Sequence, residues 1–264
     1  MAPHSLKFAQ TGLIHSAVDR ATAAAVAFLL LTIGLLSNAS GAGIVSDDFE
    51  GARGAPQSRE PTIDNTGIPD NRWVWASGHT YLENGFVISA VTGSSMGGRI
   101  RIPAPSGGID VSCIAQLNTG IEGDSPYTPV DWIAVGLLAS PEAGWIAPEG
   151  GNLLWVLVRP NGGWTLFEDG TSRILAASTP ATRLPAFEQG FFNTVITLRY
   201  DCSSSRAALL VDGKNVSGWH ATALDASRIS VAGFQVRALP ASDPRVAKID
   251  AFSVTSLSAG DMAD

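Results

Sequence analysis

Several side-chain groups in this 264-residue sequence have types and spacings that chemistry could use. The pentapeptide GSSMG at 93–97 fits G-x-S-x-G, and Asp131 and His220 follow in the order of a hydrolase triad. A serine nucleophile of that kind stands on a strand–turn–helix elbow. Here GRIRIP follows, an alternating strand pattern, so the pentapeptide reads as a glycine-rich turn. Glycoside hydrolysis asks for two carboxyl groups about 5 Å apart on one face in a retaining enzyme, which on a strand means alternate positions. No strand carries Glu-x-Asp-x-Glu: Glu122 and Asp124 lie in IEGDSP, a loop by its glycine and proline, and adjacent Glu168 and Asp169 point to opposite faces. His79, Tyr81 and His220 are the remaining bases, with solvated loop positions as the alternative.

Sugar binding needs aromatic rings to stack on pyranose faces and planar polar groups to bond hydroxyls. Trp73 and Trp75 in RWVWASGHTY share one face of an extended segment, with Tyr81 following, and Trp145 stands in the loop SPEAGWIAPEGG. For Trp73 and Trp75, packing beneath the 51–70 loop is the alternative; Trp132, Trp155 and Trp164 lie in strands and read as core. Arg99, Arg101, Gln116, Asn118, Thr197, Arg199, Gln235 and Arg237 fall on the polar sides of their strands. On one concave sheet they form a trough for uronate or sulfate; otherwise they are the solvated faces of two sheets. The two histidines and two cysteines past residue 42 make no zinc pattern. A structural calcium needs only oxygen ligands, from Glu122, Asp124 and Asp131, or from Asp48 and Asp250 if the terminal strands pair.

The elements that must position these groups are strands. Period-two alternation marks 86–91, 98–103, 110–118, 131–139, 152–158, 163–169, 194–200, 206–211, 229–238 and 248–257. Asn84-Gly85, Asn161-Gly162, Asp169-Gly170 and Asp212-Gly213 supply the positive φ that tight hairpins require. NLLWVLV is apolar on both parities and is expected in the middle of a sheet, covered on both sides. Past the leader the one helical candidate is a turn or two in ATALDAS, 221–227. The expected fold is all-β, a two-sheet antiparallel sandwich over 43–257, followed by a frayed tail, 258–264.

Residues 1–42 differ in kind. Lys7 and Arg20 precede sixteen uncharged residues, ATAAAVAFLLLTIGLL, and the small-residue run SNASGAG. That is a signal-peptide pattern with cleavage expected near Ala39 or Ala42, an uncleaved anchor being the alternative. Export into an oxidising compartment makes a Cys113–Cys202 disulfide the expectation, against two unlinked small core residues. A net charge of −7 without a basic run excludes a nucleic-acid partner.

DDFEG, the hairpin VITLRYD…RAALLVDGKNV and the closing ISVAGFQVR…KIDAFSV resemble the concanavalin A-like lectin/glucanase superfamily, and within it the laminin-G-like domains of exported bacterial proteins. The similarity covers about Ser46 to Leu257. It implies a jelly roll of two curved antiparallel sheets with the first and last strands side by side. The function it implies is binding of a polysaccharide or other glycan at or outside the cell envelope. The alternatives are a polysaccharide lyase or atypical glycoside hydrolase on the same fold, or a structural surface protein without a small ligand.

Overall fold

A computed structural model describes residues 41–50, 59–75, 80–83, 86–89, 95–117, 132–141, 152–169, 173–184, 194–237 and 247–262. They contain seventeen strands. In chain order these begin with β1 (Ala42–Asp47), β2 (Ile63–Asp64), β3 (Val74–Trp75), β4 (Thr80–Glu83), β5 (Phe86–Ser89) and β6 (Ser95–Arg101). Then come β7 (Gly108–Leu117), β8 (Trp132–Leu138), β9 (Asn152–Val158), β10 (Trp164–Glu168), β11 (Arg173–Ala177) and β12 (Thr194–Asp201). The last are β13 (Arg206–Val211), β14 (Lys214–Asn215), β15 (His220–Ala221), β16 (Val231–Arg237) and β17 (Ala247–Leu257).

The strands build two antiparallel sheets. The ten-stranded sheet runs β14-β13-β12-β7-β17-β1-β2, with β15 on β13 and β5 joining β4 to β17. The seven-stranded sheet runs β11-β10-β9-β8-β16-β6-β3. First and last strands pair, Ala42 with Ser256 through Asp47 with Phe252, as the resemblance implies. Alternation explains the core. Ile109, Val111 and Cys113 of β7, Ile196 and Leu198 of β12, and Phe252 and Val254 of β17 belong to one buried cluster with Ile133 and Val135 of β8, Val156 of β9, and Phe234 of β16. Each such side chain contributes about 1.5–3 kcal/mol on leaving water. At the β13–β14 hairpin Asp212 and Gly213 both have positive φ (49° and 76°), the backbone of a type I′ turn.

Three expectations are corrected. GSSMG is no turn at its end: β6 begins at Ser95, and Met96 is a core residue. The chain past β17 is not frayed at once, since Ala259–Met262 forms a 3₁₀ turn and Met262 is buried. Cys113 and Cys202 are both free. Their strands are neighbours, but Cys113 pairs with Ile196 while Cys202 lies six residues further on, beside Gly107. Six residues of strand span about 20 Å, against a limit of about 7 Å between bridged Cα atoms. Burial raises the Cys113 thiol pKa, and burial beside Asp201 pushes Cys202 up to about 11.

The terminal strand is locked to the second sheet by a buried carboxylate. Asp47, 1% exposed, accepts from the indole Nε1 of Trp73 (2.6 Å), from Arg59 Nη2 (2.7 Å), from the Phe49 backbone N–H (2.9 Å) and from Thr62 Oγ1 (3.3 Å). Burial pushes its pKa up, and the hydrogen bonds and Arg59 pull against that rise. The Phe49 donor turns the chain into a left-handed conformation (φ 54°) that drops the Phe49 ring between Trp73 and Phe234, with centroids at 5.6 Å from each. Removing the carboxylate strands a half-buried guanidinium and a buried indole N–H. Asp47→Ala is therefore expected to lower unfolding free energy by about 3–5 kcal/mol. Urea melts at pH 7 check this, and a loss below about 1 kcal/mol, the range of an exposed pair, contradicts it.

Candidate functional site

The middle of the seven-stranded sheet is buried on both faces. In β9 every residue from Leu153 to Val158 is buried. Leu154, Val156 and Val158 belong to the core, whereas Trp155 and Leu157 turn the other way. There they meet Trp132, Ala134 and Leu138 of β8, Phe167 of β10 and Val231 of β16 in a second apolar cluster. The expectation that β9 is covered on both sides is met in these side chains.

Strand register sets out this outer face in rows. One row runs Phe167, Trp155, Gly136, Gly233, Arg99, Val74 across β10, β9, β8, β16, β6 and β3. The Phe167 and Trp155 rings stack at 4.2 Å and 12°. Beside them the row continues in two buried glycines. A Cβ on Gly136 would stand 2.6 Å from the Trp155 Cβ, and one on Gly233 would stand 2.6 Å from the Gly98 carbonyl oxygen. Arg99 bounds the far side, its Nη1 donating to the Pro141 carbonyl at 2.8 Å. The next row runs Thr165, Leu157, Ala134, Gln235, Gly97. Gln235 is 2% exposed, and its buried Oε1 has no hydrogen-bond partner among the described residues. A buried carbonyl oxygen in that state costs about 1–3 kcal/mol and calls for an explanation. Trp132 and Arg237 pair in register at one end of the face, and Arg101 pairs with Val231 at the other.

The predicted site residues are divided by this geometry. Trp73 is core: its indole N–H is held by Asp47, and its ring packs on Phe234 and Phe252. Trp75 stacks on Trp73 at 5.5 Å from the half-buried inner edge of the same sheet. Neither is a ligand platform, because the parity that puts them on one face turns that face inward. Arg99, Arg101, Gln235 and Arg237 share the outer face of the seven-stranded sheet. Gln116, Thr197 and Arg199 occupy the outer face of the other sheet, so the trough with all of them together does not form. Arg199 is committed there to Asp110, Nε and Nη2 each donating at 2.8 Å, and Thr197 bonds Ser112 at 2.8 Å. Trp145, His79, Asn118, Glu122, Asp124, Asp131 and the Tyr81 side chain lie outside what is described. Trp132, Trp155 and Trp164 are all buried as read, Trp164 in the cluster between the sheets and Trp132 and Trp155 in the second apolar cluster on the outer face. The signal for them was present in β9, where apolar residues of both parities required a second buried face.

A cleft of about 220 Å³ lies beside Glu168, Arg173 and Arg228. Glu168 offers no free carboxylate to it, since its oxygens accept from Arg173 Nη1 (2.7 Å) and the Ala223 N–H (2.6 Å).

No family model matches the sequence, and no curated protein matches it. Solved structures similar to it include the carbohydrate recognition domain of Emp46p in its metal-free form, with TM-score 0.49 and 12% identity over 69% of this chain and 87% of that one. The carbohydrate recognition domain of Emp47p has TM-score 0.49 and 11% identity over 84% and 96%. The exoplasmic/lumenal domain of VIP36 in its Ca2+/Man2-bound form has TM-score 0.45 and 15% identity over 80% and 87%.

The proposed calcium ligands of the terminal strands do approach one another. Asp250 sits at the β17 bulge between Ile249 and Ala251, 6% exposed, and feels the charges of Glu50 and Asp48. Among the described residues, however, no three His, Cys, Asp or Glu side chains are grouped to hold a metal ion. Asp48 is turned to the Glu50 N–H and the Thr62 hydroxyl, which is why the pair does not close around a common point. Burial first, then Glu50 and Asp48, push the Asp250 pKa from 3.8 up to about 6. A raised carboxyl pKa means the folded state holds its proton longer than the unfolded chain, so stability falls as pH rises from about 4 to about 6. Asp250→Asn is expected to match the parent at pH 4 and to exceed it at pH 7 by at most about 3 kcal/mol. Denaturant melts at the two pH values check this, and an unchanged pH slope in the variant contradicts it.

Proposed function

We propose that this chain is an exported carbohydrate-binding β-sandwich that holds a glycan against the outer face of its seven-stranded sheet. The observation that carries the proposal is the unpartnered Gln235 Oε1, set among Gly97, Gly136 and Gly233 between the Trp155–Phe167 stack and Arg99. Sugar rings present an apolar face to indoles and a rim of hydroxyls to amides and guanidinia, and that combination of groups lines this floor. A hydroxyl donating to Gln235 supplies the partner that the fold leaves out. The leader pattern of residues 1–42 supports export, and DDFEG and KIDAFSV support a laminin-G-like relative within the concanavalin A-like superfamily.

Binding is favoured over turnover by the groups on this face. Among the described outward positions of the seven-stranded sheet there is no carboxylate and no histidine, so it brings no acid and base together. His220, the other predicted base, lies on β15 of the ten-stranded sheet with its Nε2 2.8 Å from the Ser217 carbonyl.

Gln235→Met separates fold from function. It replaces an orphaned acceptor by an apolar side chain of similar length, so melting temperature is expected to hold or rise. Glycan binding, read on an array and by calorimetry on the glycans the parent binds, is expected to weaken by at least about tenfold. A destabilised variant with unchanged binding refutes the proposal.

A further inference from the structure

The cleft beside Glu168 lies at the β11 edge of the seven-stranded sheet, where the chain crosses to β16 from β15 of the other sheet. Its walls are fixed by hydrogen bonds from both sheets. Glu168, 4% exposed, accepts from the Ala223 N–H of the crossing segment at 2.6 Å and from Arg173 Nη1 of β11 at 2.7 Å. The Tyr200 hydroxyl of β12 donates to the Leu224 carbonyl at 2.9 Å, and the Thr222 N–H donates to the Ser205 carbonyl at 2.8 Å. A wall ordered in advance spares a ligand the entropy of ordering it.

The lining combines apolar surface with spare hydrogen-bonding capacity. Leu153 and Leu224, both buried, supply the apolar part. Arg173 commits Nη1 to Glu168, and its other N–H groups have no partner among the described residues. Arg228 is exposed at the end of the 3₁₀ turn Ala226–Arg228, and Asp169 is exposed at the end of β10. Neither the Arg228 guanidinium nor the Asp169 carboxylate makes a hydrogen bond or ion pair among the described residues. Glu168 offsets the charge of Arg173, and Asp225 and Asp169 offset that of Arg228. With no surplus of positive charge, the cleft does not select an anion. A fork of fixed donors beside a two-oxygen acceptor suits a ligand whose adjacent hydroxyls both donate and accept. The volume of about 220 Å³ is below the about 300–1,000 Å³ of clefts that hold drug-sized ligands, so the space admits one small ring.

We propose that this cleft is a second sugar site, holding one pyranose or furanose ring, free or at the end of a glycan, by adjacent hydroxyls on Arg173, Arg228 and Asp169. It shares no residue with the outer face, so neither reading depends on the other. Titration of the ¹⁵N-labelled exported chain with D-glucose, D-galactose, D-mannose and D-galacturonate, and with inorganic sulfate as a bare anion, tests it. The amide signals of Asp169, Arg173, Ala223 and Leu224 are expected to move saturably with at least one neutral sugar and to ignore sulfate. Ala223→Phe obstructs the cleft from an exposed position and keeps the N–H that Glu168 holds, so it is expected to abolish those shifts. Arg228→Ala, and Asp169→Gly at a left-handed φ of 53° that glycine adopts freely, are each expected to weaken binding about tenfold. Lys214→Ala, on the exposed β14 turn, is expected to leave it unchanged. Shifts that survive Ala223→Phe, or that sulfate or galacturonate produces more tightly than every neutral sugar, overturn the proposal. Absence of movement at the cleft with all four sugars overturns it too. Shifts confined to the Trp132 and Trp155 indoles remove the cleft as a site and leave the outer-face reading standing.

Discussion

A buried carboxylate on the first strand sets the position of everything that matters on the second sheet. Asp47 fixes the Trp73 indole through its N–H, and that indole lies against the inner side of β6, where a Cβ on Gly98 would come within 2.9 Å of it. Phe49, turned inward by the same carboxylate, meets Phe234 of β16. The inner surfaces of β6 and β16 are thereby clamped by aromatic rings that report to one ionisable group. The outer surfaces of those two strands carry Arg99, Gly97, Gly233 and Gln235. Moving the clamp moves β6 and β16, which links a terminal strand of one sheet to the proposed glycan face on the far side of the other.

The second constraint is that this sheet is apolar or bare on both faces. Side chains that fill the outer face at β8, β9 and β10 stop at two glycines, because any Cβ there strikes a neighbouring strand. Close backbone approach leaves no room for a side chain at either glycine, and Gln235 beside them is buried with no hydrogen-bond partner for its Oε1 among the described residues. A fold selected for stability alone would place an aliphatic residue at that position. Charge is segregated too: the one acid of the described strands of this sheet, Glu168, is turned away from the outer face, whereas Arg99, Arg101 and Arg237 stand on it.

Much of this was legible in the sequence, and the remainder was hidden for identifiable reasons. Alternation located β7, β12 and β17 within a residue or two at each end. Strands of two to five residues, such as β2, β3, β11 and β14, are too short for a period to register and owe their existence to a neighbour's edge. Parity correctly put Cys113 and Cys202 on inward faces but says nothing of register, and register keeps them apart. Likewise, parity placed the arginines outside without saying which sheet, so a single trough and two separate faces both stood open until register divided them. Sequence left Trp73 open between packing and binding because its polar partner, Asp47, lies 26 residues away along the chain. Trp155 is buried as its strand position implies, and only its register against Gly136 shows that it lies in the second cluster and not the first.

The central claim is that ligand chemistry sits on the outer face of the seven-stranded sheet, and the indole N–H signals of the seven tryptophans test it most directly. In ¹⁵N-labelled protein titrated with a bound oligosaccharide, the account predicts that the Trp132 and Trp155 signals move along the binding isotherm. Trp73 and Trp164, held in the core by Asp47 and the Thr182 carbonyl, are predicted to stay in place. Saturation of the complex with Trp132 and Trp155 unmoved, while indoles elsewhere shift, would contradict it.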